Sequence, residues 1–440
     1  MSLGALPPSL AAPLPGPKSA EWVEILARTE SPAFTTRRAR RSERAGAPHD
    51  PIVWAEAKGC NVVDADGNVF VDLTAGFGVA TMGHAHPKIV DAIGRQSQRL
   101  LHALGDLHPS DVKVALLERL ADLAPFEEAR VALCLSGADA VETALMSAVL
   151  HTGRPAVLAF TGGYHGLSHG PLAVSGYRDD FRAPFSAQLN PHVTFAPFPD
   201  GETTTADAIA AIDGAWSENI GAVIVEPIQG RGGVRVPPDG FLRALGDYAR
   251  NQGAVVIADE ILTGLGRTGA LFRSVHEELV PDLLCLGKSL GGGLPVSACI
   301  GRGAVMASWG DPDGAAIHTG TFFGHPLGAA AALASLEVLQ EEALGACAET
   351  IGAVLLDGLR RLEHPAIRNV RGAGLMIGME FDNGARVLRL VQRLLQAGYL
   401  TLPAGAHAEV LQLAPPLILP ETLARGFVRT LDELLRSEAQ

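Results

Sequence analysis

A single lysine near the end of a short apolar run is the strongest chemical signal in this 440-residue chain. Lys288 follows the run Leu283–Leu286 and precedes a stretch of three glycines, Gly291 to Gly293. A lysine at the end of a buried strand loses hydration of its ammonium form, so its pKa falls and its neutral amine can form a Schiff base. Taken alone, the same pattern also fits a surface lysine in a glycine-rich loop.

A carboxylate at the end of another apolar run supports the interpretation of Lys288 as a reactive amine. Asp259 ends the apolar run Val255–Ala258. A carboxylate at that point must find a buried cationic partner or project into a crevice at the carboxyl edge of a sheet. A lysine and a carboxylate at separate strand ends suit a cofactor that needs both a covalent anchor and a charged partner.

An anion site lies at a third strand end. Ser136, Gly137 and Ala138 stand between an apolar run and a helical stretch. Glycine permits close backbone approach, the serine hydroxyl can donate, and a helix N-terminus attracts negative charge. Ser136 alone would fit an ordinary helix N-cap equally well. Together with Lys288 and Asp259, the turn satisfies the requirements of pyridoxal 5'-phosphate (PLP), which needs an amine, a carboxylate and a phosphate site.

Strands and helices must alternate to position these residues. Between about residues 110 and 300, the short apolar runs suit strands buried on both faces of a parallel sheet. These runs are Val131–Leu135, Ala156–Phe160, Ala222–Val225, Val255–Ala258 and Leu283–Leu286. Helical spacing over Asp139–His151 and Phe241–Asn251 separates some of them. The pattern predicts an α/β fold with a mostly parallel central sheet.

The remaining segments predict a second, smaller domain. Residues 1–85 include a hairpin signal at Asp66-Gly67-Asn68, flanked by β-branched residues. Residues 326–440 mix helical and strand patterns, which indicates an α+β arrangement. We therefore expect a large α/β domain over residues 86–325 and a small domain built from both ends of the chain.

Composition excludes several classes of function. The 35 Lys and Arg residues against 48 Asp and Glu residues give a net charge of -13, which disfavours nucleic acid as a partner. The five cysteines lack CxxC spacing, and the histidines form no recognisable metal motif, so we expect no metal. No apolar run reaches the roughly 20 residues that span a bilayer. We expect a cytoplasmic protein without a membrane partner.

A glycine motif suggests a remote alternative. Residues Gly264 to Gly269 match the GxGxxG fingerprint of dinucleotide-binding proteins and follow a predicted strand. In that fingerprint the first glycine comes directly after the strand and a long helix begins in the loop. Here Asp259 to Leu262 intervene and no clear helix start follows. A NAD-dependent dehydrogenase is therefore a remote hypothesis.

The combined motifs resemble the class III aminotransferases, which are PLP enzymes of fold type I. The resemblance extends over about residues 50 to 430. Its motifs are Phe70-Val71-Asp72, Gly83-His84-Ala85-His86-Pro87, Ser136-Gly137-Ala138, Gly163-Tyr164-His165-Gly166, Glu226-Pro227-Ile228-Gln229-Gly230, Asp259-Glu260-Ile261, Thr263 to Gly269, Leu286-Gly287-Lys288, His318-Thr319-Gly320-Thr321-Phe322 and Pro415-Pro416-Leu417.

The resemblance implies a role for each matching residue. Lys288 would form the Schiff base and move protons, and Asp259 would pair with the pyridine nitrogen. Ser136, Gly137 and Ala138 would bind the phosphate. The other implied site residues are Tyr164, stacked on the cofactor ring, His165 beside it, Glu226, which orients the site, and Thr321, which reaches the phosphate in the neighbouring subunit of a homodimer.

The activity implied is transfer of an amino group from an amine or amino acid to an oxo acid. A PLP-dependent amino-acid racemase or epimerase of the same family is the alternative, because both reactions need Lys288 and Asp259. A non-enzymatic PLP-binding protein is a further, remote alternative.

Three positions depart from relatives that use 2-oxoglutarate. Leu167 and Gln412 stand where such relatives carry arginines, and Arg231 stands where they carry a glutamate paired with the second arginine. One hypothesis is that Arg231 binds a substrate carboxylate from the side of the site opposite to position 412. The other is that these changes are unrelated, and the sequence favours neither, although glutamine does not replace a bidentate arginine.

Overall fold

The computed structural model describes residues 3–45, 51–310 and 317–437. The α-helices of the described residues are α1 (Pro17–Thr29), α2 (Pro32–Ala45), α3 (Ala75–Gly78), α4 (Pro87–Arg99), α5 (Asp111–Leu123), α6 (Gly137–Thr152), α7 (His169–Ala173), α8 (Asp179–Arg182), α9 (Thr205–Ala215), α10 (Phe241–Asn251), α11 (Arg273–His276), α12 (Gly303–Met306), α13 (Pro326–Glu341), α14 (Leu344–Arg360), α15 (Gly384–Gln396) and α16 (Glu421–Arg436). Short 3-10 helices cover Ala183–Gln188, Lys288–Gly291 and Ala307–Trp309.

The strands of the same residues are β1 (Trp54–Lys58), β2 (Asn61–Asp64), β3 (Val69–Asp72), β4 (Arg130–Cys134), β5 (Ala156–Phe160), β6 (Val193–Ala196), β7 (Ile220–Val225), β8 (Val255–Asp259), β9 (Leu283–Leu286), β10 (Ser297–Gly301), β11 (Ile367–Ala373), β12 (Met376–Phe381), β13 (Tyr399–Leu400), β14 (Leu402–Ala404) and β15 (Val410–Leu413). They form one seven-stranded and two four-stranded sheets.

Backbone contacts divide the chain into two compact units. Unit 1 comprises Met1–His86 and Leu344–Gln440, and unit 2 comprises Pro87–Ala343. The predicted boundary at residue 325 differs from the end of unit 2 at Ala343. Helix α13 belongs to unit 2, because its largely buried alanine and leucine side chains pack on α4 and α5 of that unit.

Unit 2 contains the predicted mostly parallel sheet. Its strand order is β4-β10-β9-β8-β7-β5-β6. Strands β9, β8, β7, β5 and β6 run parallel, whereas β10 runs antiparallel to both of its neighbours. All five predicted apolar runs are strands, which confirms the α/β prediction. Strands β6 and β10 were not predicted, because β6 is only partly apolar and β10 contains serine and glycine.

Edge-to-face phenylalanine rings fill one side of this sheet. Phe241 of α10 is fully buried, and its ring centroid lies 6.0 Å from that of Phe160 and 6.1 Å from that of Phe198. The rings of Phe160 and Phe198 also meet at 5.8 Å. Such pairs stabilise a core beyond their buried area.

Unit 1 contains two smaller sheets. Strands β1, β2 and β3 are antiparallel, and β13 adds parallel to β3. The predicted turn at Asp66-Gly67-Asn68 joins β2 to β3, with Gly67 at φ 87°. Strands β11, β12, β15 and β14 form the other, wholly antiparallel sheet.

Phe241→Ala tests the core of unit 2. Removing a buried aromatic side chain leaves a cavity that the neighbouring rings cannot fill, so we expect a loss of about 3–5 kcal/mol in the free energy of unfolding. Urea denaturation measures it. Phe185→Ala, which truncates a 46% exposed ring, is the matched control and should cost about 1 kcal/mol or less. Equal losses in both variants would contradict the assigned core.

Candidate active site

The parallel strands of unit 2 bring four predicted residues to one edge of the sheet. Lys288 lies just beyond β9, Asp259 ends β8, Glu226 follows β7, and Tyr164 lies in the loop after β5. These strands are consecutive neighbours in the sheet. Because parallel strands end at the same edge, residues distant in sequence become neighbours there.

A buried carboxylate–imidazole pair lies at the centre of this edge. His165 Nδ1 and Asp259 Oδ2 are 2.7 Å apart, and both side chains are almost completely buried. The second oxygen, Oδ1, accepts a hydrogen bond from the backbone N–H of Ile261 at 3.1 Å. Burial disfavours the imidazolium, but the hydrogen bond and charge of Asp259 outweigh it and raise the pKa of His165.

Glu226 fastens two loops together. Its Oε1 accepts from the backbone N–H of Tyr164 at 2.8 Å, and its Oε2 accepts from that of Gly230 at 2.9 Å. Burial raises the pKa of Glu226 to about 7, with the positive charge of His165 opposing the rise and the negative charge of Asp259 adding to it. Glu226 is therefore a positioning residue that holds the backbone on both sides of the site.

Lys288 has a left-handed backbone conformation and a side-chain amine of lowered pKa. Its φ of 39° lies in the left-handed region. For a residue other than glycine this backbone conformation costs about 1–3 kcal/mol, and such residues are found most often at functional sites. Burial lowers the pKa of the Lys288 ammonium. The carboxylates of Asp259 and Glu226 oppose this shift, whereas Arg231 and Arg267 add to it. The amine is thereby shifted toward its neutral form.

The predicted anion turn begins α6. Ser136 Oγ accepts from the backbone N–H of Asp139 at 3.1 Å, while Asp139 Oδ2 accepts from that of Ser136, which makes a capping box. The Ser136 side chain is thus an N-cap. Among the described residues, the backbone N–H groups of Gly137 and Ala138 donate to no acceptor. The turn lies beside Lys288, since Gly137 packs close to Gly287.

Two further predicted residues of unit 2, Leu167 and Thr321, are exposed, and Gln412 belongs to unit 1. Leu167 is 50% exposed, and Thr321 is exposed after the undescribed residues 311–316. Within the described parts of the chain, no hydrogen bond or ion pair joins Thr321 to Lys288. Gln412 lies on β15 of unit 1, opposite Gly378 and Leu402. The glycine segment from Gly264 to Gly269 forms turns, and the next helix, α11, has only four residues, unlike the long helix of a dinucleotide fingerprint.

Sequence reasoning missed three contributors. Ser175 Oγ accepts from the His165 backbone N–H at 2.9 Å, Tyr177 meets the ring of Tyr164 edge-on, and the fully buried Arg267 lowers the pKa of Lys288 by its charge. Arg267 belongs to the motif from Thr263 to Gly269, which was its only sequence signal. Ser175 and Tyr177 belong to no motif, so the sequence gives no sign of their contacts. Over the ranges that the structure covers, no cluster of His, Cys, Asp and Glu could hold a metal ion.

Comparison with known proteins adds an independent line of observation. Residues 43–435 match the family model described as aminotransferase class-III. The acetylornithine aminotransferase of Mycobacterium tuberculosis (strain ATCC 25618 / H37Rv) is 39% identical over 393 residues, which is 88% of this chain and 92% of that protein. That of Methanopyrus kandleri is 36% identical over 387 residues, covering 88% of this chain and 95% of the relative.

Solved structures show a similar fold. A PLP-bound amine transaminase from an uncultivated Pseudomonas species matches with a TM-score of 0.83 at 29% identity, covering 88% of this chain and 95% of its own. The ornithine aminotransferase of Toxoplasma gondii matches with a TM-score of 0.80 at 32% identity, covering 88% and 92%.

Glu226→Gln tests the burial of this carboxylate through pH. The folded protein binds the Glu226 proton more tightly than the unfolded chain, since the pKa rises from 4.5 to about 7. Its contribution to stability is therefore complete below pH 4.5 and is lost as pH rises through about 7. We therefore compare the cofactor-free variant with the cofactor-free wild type by urea denaturation. Between pH 4.5 and about 7, the free energy of unfolding of Glu226→Gln should fall less than that of the wild type.

The matched control for this experiment is Glu278→Gln, which removes an exposed carboxylate paired with Arg243. Its stability should follow the wild-type pH dependence. If the free energy of unfolding of Glu226→Gln showed the same pH dependence as that of the wild type, the assignment of a raised pKa to Glu226 would be wrong.

Proposed function

This chain belongs to the class III aminotransferase family and is a PLP-dependent aminotransferase of fold type I, and on that premise we propose which of its residues do the work. Lys288 Nζ would hold the cofactor at its aldehyde carbon, Asp259 would bind its pyridine nitrogen, and the turn from Ser136 to Ala138 would bind its phosphate. When bound, PLP acts as an electron sink for negative charge beside the substrate nitrogen.

One observation carries this assignment. One edge of the sheet gathers an amine of lowered pKa, a buried carboxylate and a helix N-terminus with two open N–H groups. These are the three kinds of group that the aldehyde, the pyridine nitrogen and the phosphate of PLP require. The residues of this chain therefore fit the cofactor.

Lys288 is the proposed acid–base group. A neutral Nζ can take a proton from the α-carbon of the substrate, and the same nitrogen can return it. The charges of Asp259 and Glu226 raise the pKa of Lys288 while burial lowers it. This balance suits a group that must both accept and release a proton.

The proposed task of Asp259 is to keep a ring nitrogen protonated. Its two oxygens are oriented by His165 and by the backbone N–H of Ile261. A buried carboxylate in a fixed position stabilises a neighbouring positive charge strongly, because little water screens it. Tyr164, whose backbone is fastened by Glu226, would lie against the cofactor ring.

We further propose a cytoplasmic homodimer. Thr321 is exposed, as a residue that donates to the phosphate in a neighbouring subunit would be. Cys60, Cys134, Cys285 and Cys299 form no disulfide among the described residues, which suits a reducing compartment. Among the described residues, no helix combines the length and apolar character needed to cross a membrane.

We propose an amino acid as the donor and an oxo acid as the acceptor. The curated relatives are named for acetylornithine, and a solved neighbour is named for ornithine. Both are amino acids, and amino-group transfer to an oxo acid follows from the family. The departures at Leu167, Gln412 and Arg231 support a different mode of substrate recognition from that of the relatives that use 2-oxoglutarate.

Lys288→Ala tests the anchoring residue. Without Nζ the protein has no amine at this strand end, so we expect loss of the protein-bound cofactor absorbance and of measurable turnover. Borohydride reduction of the wild type, followed by peptide mass mapping, should find the cofactor on the peptide that contains Lys288. Lys88→Ala, which removes a surface lysine, should behave as wild type. Cofactor attached elsewhere would refute the assignment.

Asp259→Asn separates cofactor binding from catalysis. The neutral amide cannot hold a proton on the ring nitrogen, so we expect cofactor to bind while kcat falls by about 100-fold or more. Cofactor content by absorbance and steady-state turnover measure the two effects. Asp247→Asn, an exposed change on α10, is the control. Near-normal turnover in Asp259→Asn would mean that another acid performs this task.

A further inference from the structure

Arg231 lies between two tyrosine rings at the edge of the site. Its guanidinium carbon is 5.0 Å from the centroid of the Tyr164 ring and 5.4 Å from that of Tyr177. The two rings are nearly perpendicular to each other, with an interplanar angle of 87°. Contacts on two aromatic walls fix a planar cation in one place, so little side-chain freedom remains to be lost when a ligand binds.

The hydrogen-bonding capacity of this guanidinium is unused. Among the described residues, Arg231 donates no hydrogen bond and forms no ion pair, and its Nε is buried without a partner. An arginine carries five N–H donors, and a buried donor without an acceptor is unfavourable. A half-buried arginine with this geometry is suited to an acceptor that comes from outside the chain.

The loop that carries Arg231 is fastened to the site. Glu226 accepts hydrogen bonds from both Gly230, which precedes Arg231, and Tyr164. A side chain at Gly232 would come within 2.6 Å of the carbonyl oxygen of Gly162, so the two loops approach at backbone distance. The same carboxylate therefore positions Arg231 and one of its aromatic walls.

The charge of Arg231 reaches the reactive amine. Arg231 is one of the groups whose positive charge lowers the pKa of Lys288. An anion bound at Arg231 would therefore oppose this effect on the pKa of Lys288. A substrate that carries both an amino group and a carboxylate offers one group to each of these residues.

We propose that Arg231, held between Tyr164 and Tyr177, binds the carboxylate of the amino-acid or oxo-acid substrate through the open N–H groups of its guanidinium. The proposal rests on the proposed function for the identity of the reacting amine, but the anion site itself does not. It assigns carboxylate-bearing substrates to this enzyme in preference to simple amines. Tyr177 becomes a positioning residue that acts through its contact with the guanidinium.

The experiment is a calorimetric titration of the holoenzyme with propionate, an unreactive carboxylate, and with propionamide, its neutral counterpart. Loss of charge-assisted hydrogen bonds should weaken propionate binding by about 10- to 100-fold in Arg231→Gln. Propionamide should bind wild type and variant alike. Arg243→Gln, which removes an exposed arginine of α10, should bind propionate as wild type does.

Arg231→Lys provides a second variant if the glutamine variant folds poorly. It keeps the charge but loses the planar fork, so its affinity for propionate should lie between those of wild type and Arg231→Gln. Circular dichroism and the cofactor absorbance report whether each variant is folded and loaded.

A kinetic comparison uses L-alanine and ethylamine as donors. In Arg231→Gln the ratio of kcat/KM for L-alanine to kcat/KM for ethylamine, measured in the half-reaction with the donor alone, should fall by about 10-fold or more, because only L-alanine carries a carboxylate. Equal propionate affinity in wild type and Arg231→Gln, or no propionate binding by the wild type, would overturn the carboxylate site. Absence of cofactor on Lys288 would instead overturn the proposed function, and the propionate titration would still report on Arg231.

Discussion

A carboxylate buried at the end of an apolar strand needs a partner, and the Asp259–His165 hydrogen bond supplies it. The neighbouring groups depend on this pair. The charges of both residues act on Glu226, whose pKa is raised to about 7, and Asp259 opposes the fall in the pKa of Lys288. Because the groups are close and poorly hydrated, a change in the charge of one alters the protonation of the others. The site therefore works as a coupled unit.

Hydrogen bonds from backbone N–H groups to Glu226 hold the neighbouring loops in place. Glu226 holds Tyr164 and Gly230 through their N–H groups, so one carboxylate fixes the aromatic wall and the loop that carries Arg231. Lys288 stays in a left-handed backbone conformation next to fully buried strands. A rigid, densely packed sheet can maintain such local strain, since relaxing it would disturb the core.

The family relationship and the substrate preference reside in different parts of the site. The groups proposed to hold the cofactor lie at strand ends or at the start of a long helix, which the sheet places precisely. Arg231 and Tyr177 lie outside the strands and helices, where sequence can change without altering the fold. A new recognition mode can therefore arise on the same scaffold. This is why activity class follows from the fold and its motifs, whereas substrate choice must be argued from individual loop residues.

The sequence by itself determined the α/β class, the strands that precede Lys288 and end at Asp259, and the helix that begins after Ser136, because apolar runs and capping residues act locally. It also indicated the cofactor through the residue types at those ends. Only the tertiary structure decided that His165 pairs with Asp259, that α13 packs in unit 2, and that Tyr177 flanks Arg231. Those contacts join positions far apart in the chain, and no local pattern encodes a distance between two loops.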